Sequence, residues 1–182
     1  VVAAGAVLAG RRRTRPPAAV TATVPTEIAP DVFCLGPWGR TQTNVYLVWA
    51  GSSWVLVDAG WAQDAERIRA AVRSVLGPET VPAAILLTHV HPDHSGSARV
   101  LAAAWDCPIL AHPAEIPIAT GDFEAMVRYA GPMDRWLILP VMRAIGRRRR
   151  ERILAAGSLE AVVRQLGPDG SIPGVDGWRW MH

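Results

Sequence analysis

The chain has 182 residues, half of them apolar and 19% charged, which excludes the disordered, collagenous and disulfide-rich classes and leaves room for one domain with a packed core. All 19 basic residues are arginine, and the formal charge of +3 comes mostly from residues 11–15 and 147–152, so no general nucleic-acid-binding field is implied. Cys34 and Cys107 lie in apolar, strand-like settings without C-x-x-C spacing, the pattern of two buried thiols in a reducing, cytoplasmic compartment.

Residues 1–10 are apolar but too few to cross a bilayer, for which about 20 are needed, and their arginines follow the apolar run rather than precede it as in a secretory signal. They read as a frayed extension or the tail of a membrane anchor. Residues 11–30 hold four prolines and no periodicity, so residues 1–30 are assigned to an arm or linker and the domain to residues 31–182. Strand-like runs follow at 32–35, 45–49 and 54–57, separated by Gly36-Pro37 and Gly51-Ser52 turn signals. The period then changes: Ile68, Val72, Val75 and Leu76 predict a helix over 63–76 with one buried face, stopped at Gly77-Pro78. Residues 83–87 form a short apolar run suited to a strand covered on both faces, a second helix fits 97–105, and 108–111 reads as the next strand. This alternation predicts an α/β layered domain. Residues 116–166 break the pattern as a mostly helical insertion, punctuated at Gly131-Pro132, Pro140 and Gly157.

The chemistry is concentrated in His89-Val90-His91-Pro92-Asp93-His94. Imidazole and carboxylate are the ligands that borderline cations such as zinc prefer, and a chance H-x-H-x-D-H is expected in roughly two of ten thousand sequences of this composition. His89 and His91, two apart on an extended segment, point to one side and can reach one ion; Asp93 and His94, past the Pro92 turn, can face a second ion or orient water on the first.

Thr88 to Gly96 resembles the signature loop of the metallo-β-lactamase superfamily. Thr43-Asn44-Val45-Tyr46-Leu47-Val48 and Val55-Leu56-Val57-Asp58-Ala59-Gly60 are similar to that family's opening strands, and Ala111-His112-Pro113-Ala114-Glu115 to the loop after its next strand. The resemblance covers about residues 31–115. It implies an α/β fold of the αβ/βα four-layer sandwich type, present as its N-terminal half with a helical insertion at about 116–166. It also implies a hydrolase with two Zn2+ ions and a metal-bound hydroxide as nucleophile. His89 and His91 would bind the first zinc, and Asp93 and His94 the second, with Asp93 moving the proton to the leaving group. Asp58 would fix an imidazole tautomer, or simply end its strand before the Gly60 turn. His112 would line the pocket or serve as a structural histidine.

The family's remaining ligands begin in a Pro-Gly-His-Thr stretch, and this chain contains no Pro-Gly-His. Its last residues, Trp178-Arg179-Trp180-Met181-His182, resemble the strand leading into that stretch, which implies the N-terminal portion of a longer hydrolase, inactive alone, with His182 not the missing ligand. Exposed apolar surface is expected where the other half would pack. The substrate is expected to be a small molecule; thioesters, lactones, β-lactams and phosphodiesters all remain open. A competing expectation is an inactive product that acts as a basic binding module through residues 143–152. There the apolar run 136–142 precedes Arg147, Arg148, Arg149 and Arg150, as in a weakly membrane-binding surface segment, or as in an ordinary solvated face.

Overall fold

The computed structural model describes residues 24–39, 41–172, 175 and 177–179. Residues 1–23, expected to form most of the arm, and His182, expected not to be a ligand, lie outside them. One sheet organises the described chain: β1 (Thr26–Ala29), β2 (Val32–Cys34), β3 (Tyr46–Ala50), β4 (Ser53–Val57), β5 (Ala84–Leu87), β6 (Ile109–Ala111) and β7 (Val163–Gln165) lie side by side in sequence order. The first four pair antiparallel and the last three join them in parallel. Parallel neighbours need crossover connections, and helices supply them. α1 (Ala65–Leu76) links β4 to β5; the short α2 (Pro92–Ser95) and α3 (Ala98–Trp105) link β5 to β6. The β6 to β7 crossing is long and helical, comprising a 3-10 turn (Pro113–Glu115), α4 (Ile116–Ala119), α5 (Phe123–Tyr129), a π-helical turn (Asp134–Ile138), α6 (Leu139–Ala144) and α7 (Arg147–Gly157).

The core forms because α1 and α3 lay their apolar stripes on one sheet face. Ile68, Ala71 and Val72 from α1 and Ala98, Leu101 and Ala102 from α3 meet Leu47, Leu56, Ile85, Leu87, Ile109 and Ala111. This is one helix layer on one sheet, half of the predicted four layers. On the opposite face Val48, Val55, Ala84 and Leu110 are covered by Leu166, Ile172 and Val175. β5 therefore buries both its faces, as its continuous apolar run predicts.

Several details differ from the sequence reading. Thr26–Ala29, assigned to the arm, is an edge strand; its side chains are all exposed, so no apolar alternation marks it, and Asp31 turns the chain with φ 63°. Val163–Gln165, assigned to the insertion, is a strand, because its backbone completes the parallel edge beside β6 although only Val163 is partly buried. Both cysteines are free and half-buried rather than buried, and burial pushes the Cys107 thiol up to about 11. The exposed apolar surface is concentrated not on the sheet but on the helical crossing, at Met133, Trp136, Leu137 and Val141, since the segment after β7 folds back over the sheet.

Two loops at the carboxyl ends of β4 and β5 are stitched backbone to backbone: Ala59 N donates to His94 O (2.6 Å) and Gly96 N to Gly60 O (2.9 Å). Gly96 has an ordinary helical φ of −57°, so its requirement is space; a Cβ there would meet Ala62 N at 2.5 Å and Pro92 O at 2.5 Å. Gly96→Ala is expected to cost about 3 kcal/mol by overpacking against backbone that cannot yield, read as a lower urea midpoint or as insoluble protein.

Candidate metal centre

The motif lies where open α/β sheets place their sites, at the carboxyl ends of parallel strands. Asp58 follows β4, Thr88 to His91 follow β5, and His112 and Glu115 follow β6. His91 is the N-cap of α2, and its carbonyl accepts from His94 N and Ser95 N, which carries Asp93 and His94 back toward His89. The His89 ring centroid lies 4.0 Å from that of His94 and 4.8 Å from that of His91.

The partners of these rings decide their tautomers. Asp58, 3% exposed, accepts from Thr88 N (2.9 Å), from Thr88 Oγ1 (3.0 and 2.9 Å to its two oxygens) and from His94 Nδ1 (2.8 Å). A carboxylate only accepts, so His94 carries its proton on Nδ1 and leaves a lone pair on Nε2. Thr88 has one hydroxyl proton and gives it to Asp58; it can then only accept from His89 Nδ1 (3.1 Å), which leaves the His89 lone pair on Nε2. His91 gives Nε2–H to Asp134 (3.1 and 3.2 Å), leaving its lone pair on Nδ1. Each imidazole thus has one nitrogen held from behind and one free to ligate, the arrangement metal-binding histidines require.

Asp93 is oriented by a directed chain. Trp61 Nε1–H, a donor only, gives to Thr41 Oγ1 (3.1 Å), Thr41 to Thr43 Oγ1 (2.8 Å), and Thr43 to Asp93 Oδ2 (3.0 Å). Burial favours the neutral acid at Asp93, but the hydrogen bonds from Thr43 and its own backbone, with His94 and Thr41, outweigh it and hold the carboxyl below its usual range. Burial first, then the neighbouring His94 and His91, depress the His89 pKa against the opposing pull of Asp58 and Glu115. Glu115 also accepts from Val90 N (3.0 Å), fixing the backbone between the first two histidines. His112 Nδ1 accepts from Ala114 N (3.2 Å) and caps the 3-10 turn.

Asp58, His89, His91, Asp93 and His94 are therefore brought together. Sequence reading missed Asp134, Thr88, Thr43 and Glu115. Asp134 had one signal, a lone carboxylate opening an otherwise apolar and basic helical stretch after Gly131-Pro132; its partner lies 43 residues away. The donor chemistry and the orientation of the lone pairs fit a zinc-type cation. The number does not yet suffice: among the described residues no three His, Cys, Asp or Glu side chains converge to hold an ion. The His89 and His91 ring planes stand at 85°, and His91 is turned toward Asp134. A zinc site takes three or four protein ligands, more than converge among the described residues.

The sequence profile of the metallo-beta-lactamase superfamily matches residues 38–182, and the chain belongs to that superfamily. It is 30% identical over 141 residues to the probable metallo-hydrolase YflN of Bacillus subtilis, covering 76% of this chain and 50% of that one. It is 36% identical over 84 residues to the probable metallo-hydrolase YybB of the same organism, covering 46% of this chain and 36% of the relative. Among solved structures, the metallo-beta-lactamase GOB-18 from Elizabethkingia meningoseptica aligns with a TM-score of 0.48 at 19% identity, over 65% of this chain and 43% of that one. The chain spans half or less of the length of these relatives.

Two outcomes follow from the geometry. Asp58→Asn keeps the shape and tolerates the left-handed backbone (φ 62°), but replaces a pure acceptor by a group that also donates. Zinc affinity is expected to fall about 10- to 100-fold, as for other lost supports of a ligand, measured by competition with a chromophoric chelator. The folded pKa of His89 lies below its unfolded value of 6.5, so the fold favours neutral imidazole. That contribution is present above the unfolded pKa and is lost as pH falls through 6.5 toward the folded pKa. Thermal melts of the metal-free chain are therefore expected to drop as pH falls below 6.5, and less steeply in His89→Gln.

Proposed function

We propose that the chain supplies the first part of the metal site of a dinuclear zinc hydrolase acting on a small-molecule substrate. The observation that carries this reading is the set of three imidazoles, each with its outer nitrogen engaged by Thr88, Asp134 or Asp58 and its inner nitrogen free. A histidine kept only for packing has no need of a defined tautomer, whereas a ligand does. His89 Nε2 and His91 Nδ1 are the atoms that would hold the first ion, and Asp93 and His94 Nε2 the second. Zinc supplies Lewis acidity and brings the pKa of water toward about 7.

The chain's own residues then have distinct tasks. Asp58 keeps His94 and, through Thr88, His89 in their ligating tautomers. Asp93, kept ionised by Thr43, takes a proton from the attacking water and returns it to the leaving group. Glu115 and Asp134 hold the motif from the β6 to β7 crossing. The ligands that complete the site belong to the whole protein's fold, as does its hydrolytic activity.

Zinc titrated into the purified chain is expected to bind, and His91→Ala to weaken binding by about tenfold or more, since one of few ligands is lost. Equal affinity in the two proteins, by dye competition or calorimetry, would sink the assignment of His91.

A further inference from the structure

The site leaves unexplained the outer part of the β6 to β7 crossing. Between residues 131 and 157 only Asp134 and Leu139 are buried, and α7 buries nothing. Met133, Leu137 and Val141 fall at i, i+4 and i+8, one side of the helix, and are 70%, 59% and 56% exposed; Trp136 beside them is 86% exposed. Residues 132–153 carry seven arginines and two acidic groups, a formal +5 that exceeds the +3 of the whole chain. The rest of the molecule is correspondingly negative. Arg150 is committed to the fold: it lies 4.2 Å over the Phe123 ring and donates to Met142 O (3.3 Å). Arg147 pairs with Glu151 on the surface. Arg135, Arg143, Arg148, Arg149 and Arg152 make no ion pair among the described residues.

We infer that this helical hairpin, residues 132–153, is a docking surface for an anionic lipid membrane. Charge complementarity selects an anionic partner. The exposed tryptophan and its apolar row select lipid over nucleic acid, whose backbone needs the arginines but not Trp136, Leu137 and Val141. A second copy of the chain is disfavoured, because a two-fold contact would oppose two +5 surfaces. A merely solvated face accounts for the arginines and leaves the apolar row without a reason. The inference rests on this surface alone and is independent of the hydrolase reading. Because Met133 adjoins Asp134, the partner of His91, the membrane-facing row is rooted at the metal centre.

The test is sedimentation of the chain with vesicles of phosphatidylcholine containing about one-third phosphatidylglycerol, against pure phosphatidylcholine, at low salt and at about 0.5 M salt. Retention is expected on the anionic vesicles at low salt only. Arg148→Glu with Arg149→Glu is expected to lower it by at least about 25-fold, at roughly fivefold per arginine. Trp136→Ser, which disturbs no buried group, is expected to lower it severalfold, and lipid to shift the wild-type tryptophan emission to the blue in a way Trp136→Phe does not. Equal retention on pure phosphatidylcholine, an unchanged affinity in the charge-reversal variant, or tighter binding to duplex DNA would each overturn the proposal. So would a Trp136 already shielded from acrylamide without lipid, whether by a second copy or by another part of the protein.

Discussion

The candidate metal centre depends on one buried carboxylate. Asp58 leaves β4 in a left-handed conformation that turns its side chain beneath the neighbouring strand end, where it accepts from the Thr88 backbone, the Thr88 hydroxyl and His94. A buried carboxylate without partners is costly, so these bonds are obligatory once the sheet has formed. Satisfying Asp58 therefore sets two imidazoles at once. His94 is held directly, and His89 through a hydroxyl whose only proton is already spent on Asp58.

That hub works because the two loops carrying it cannot drift apart. The contacts of Ala59 N with His94 O and Gly96 N with Gly60 O bring the β4 and β5 loops to backbone distance, and the space at Gly96 admits no side chain. The candidate ligands are thus mounted on strand ends and on a one-turn helix, elements whose positions follow from core packing. From the other side, Thr43 just before β3 orients Asp93, and Glu115 and Asp134 reach in from the last crossing. Thr43, Asp58, Glu115 and Asp134 thus meet around the motif from separate places in the chain.

The crossing that supplies Asp134 has a double character. Its inner side is tied to the motif by Glu115 and Asp134; its outer side exposes a tryptophan and, over residues 132–153, seven of the chain's 19 arginines. A parallel connection needs some element between β6 and β7, but nothing in the sheet dictates its length or its outward chemistry. Such freedom is where a fold acquires functions beyond its core.

The sheet from β2 to β6 and the helices α1 and α3 were legible in the sequence because apolar spacing changes visibly from two to 3.6 residues where burial is one-sided. β1 and β7 were not: their few residues are mostly exposed, and their pairing is a backbone property that leaves no side-chain signature. The ligand candidates were legible because His89, His91, Asp93 and His94 are crowded into six residues. What held them was not, apart from Asp58. Hydrogen bonds such as Asp134 to His91 and Thr43 to Asp93 span 43 and 50 residues, and only the folded chain decides which distant carboxylate or hydroxyl arrives. By itself the sequence determined the superfamily and most of the frame. Tertiary structure decided the tautomers, because a proton's place on a ring depends on which acceptor stands behind it.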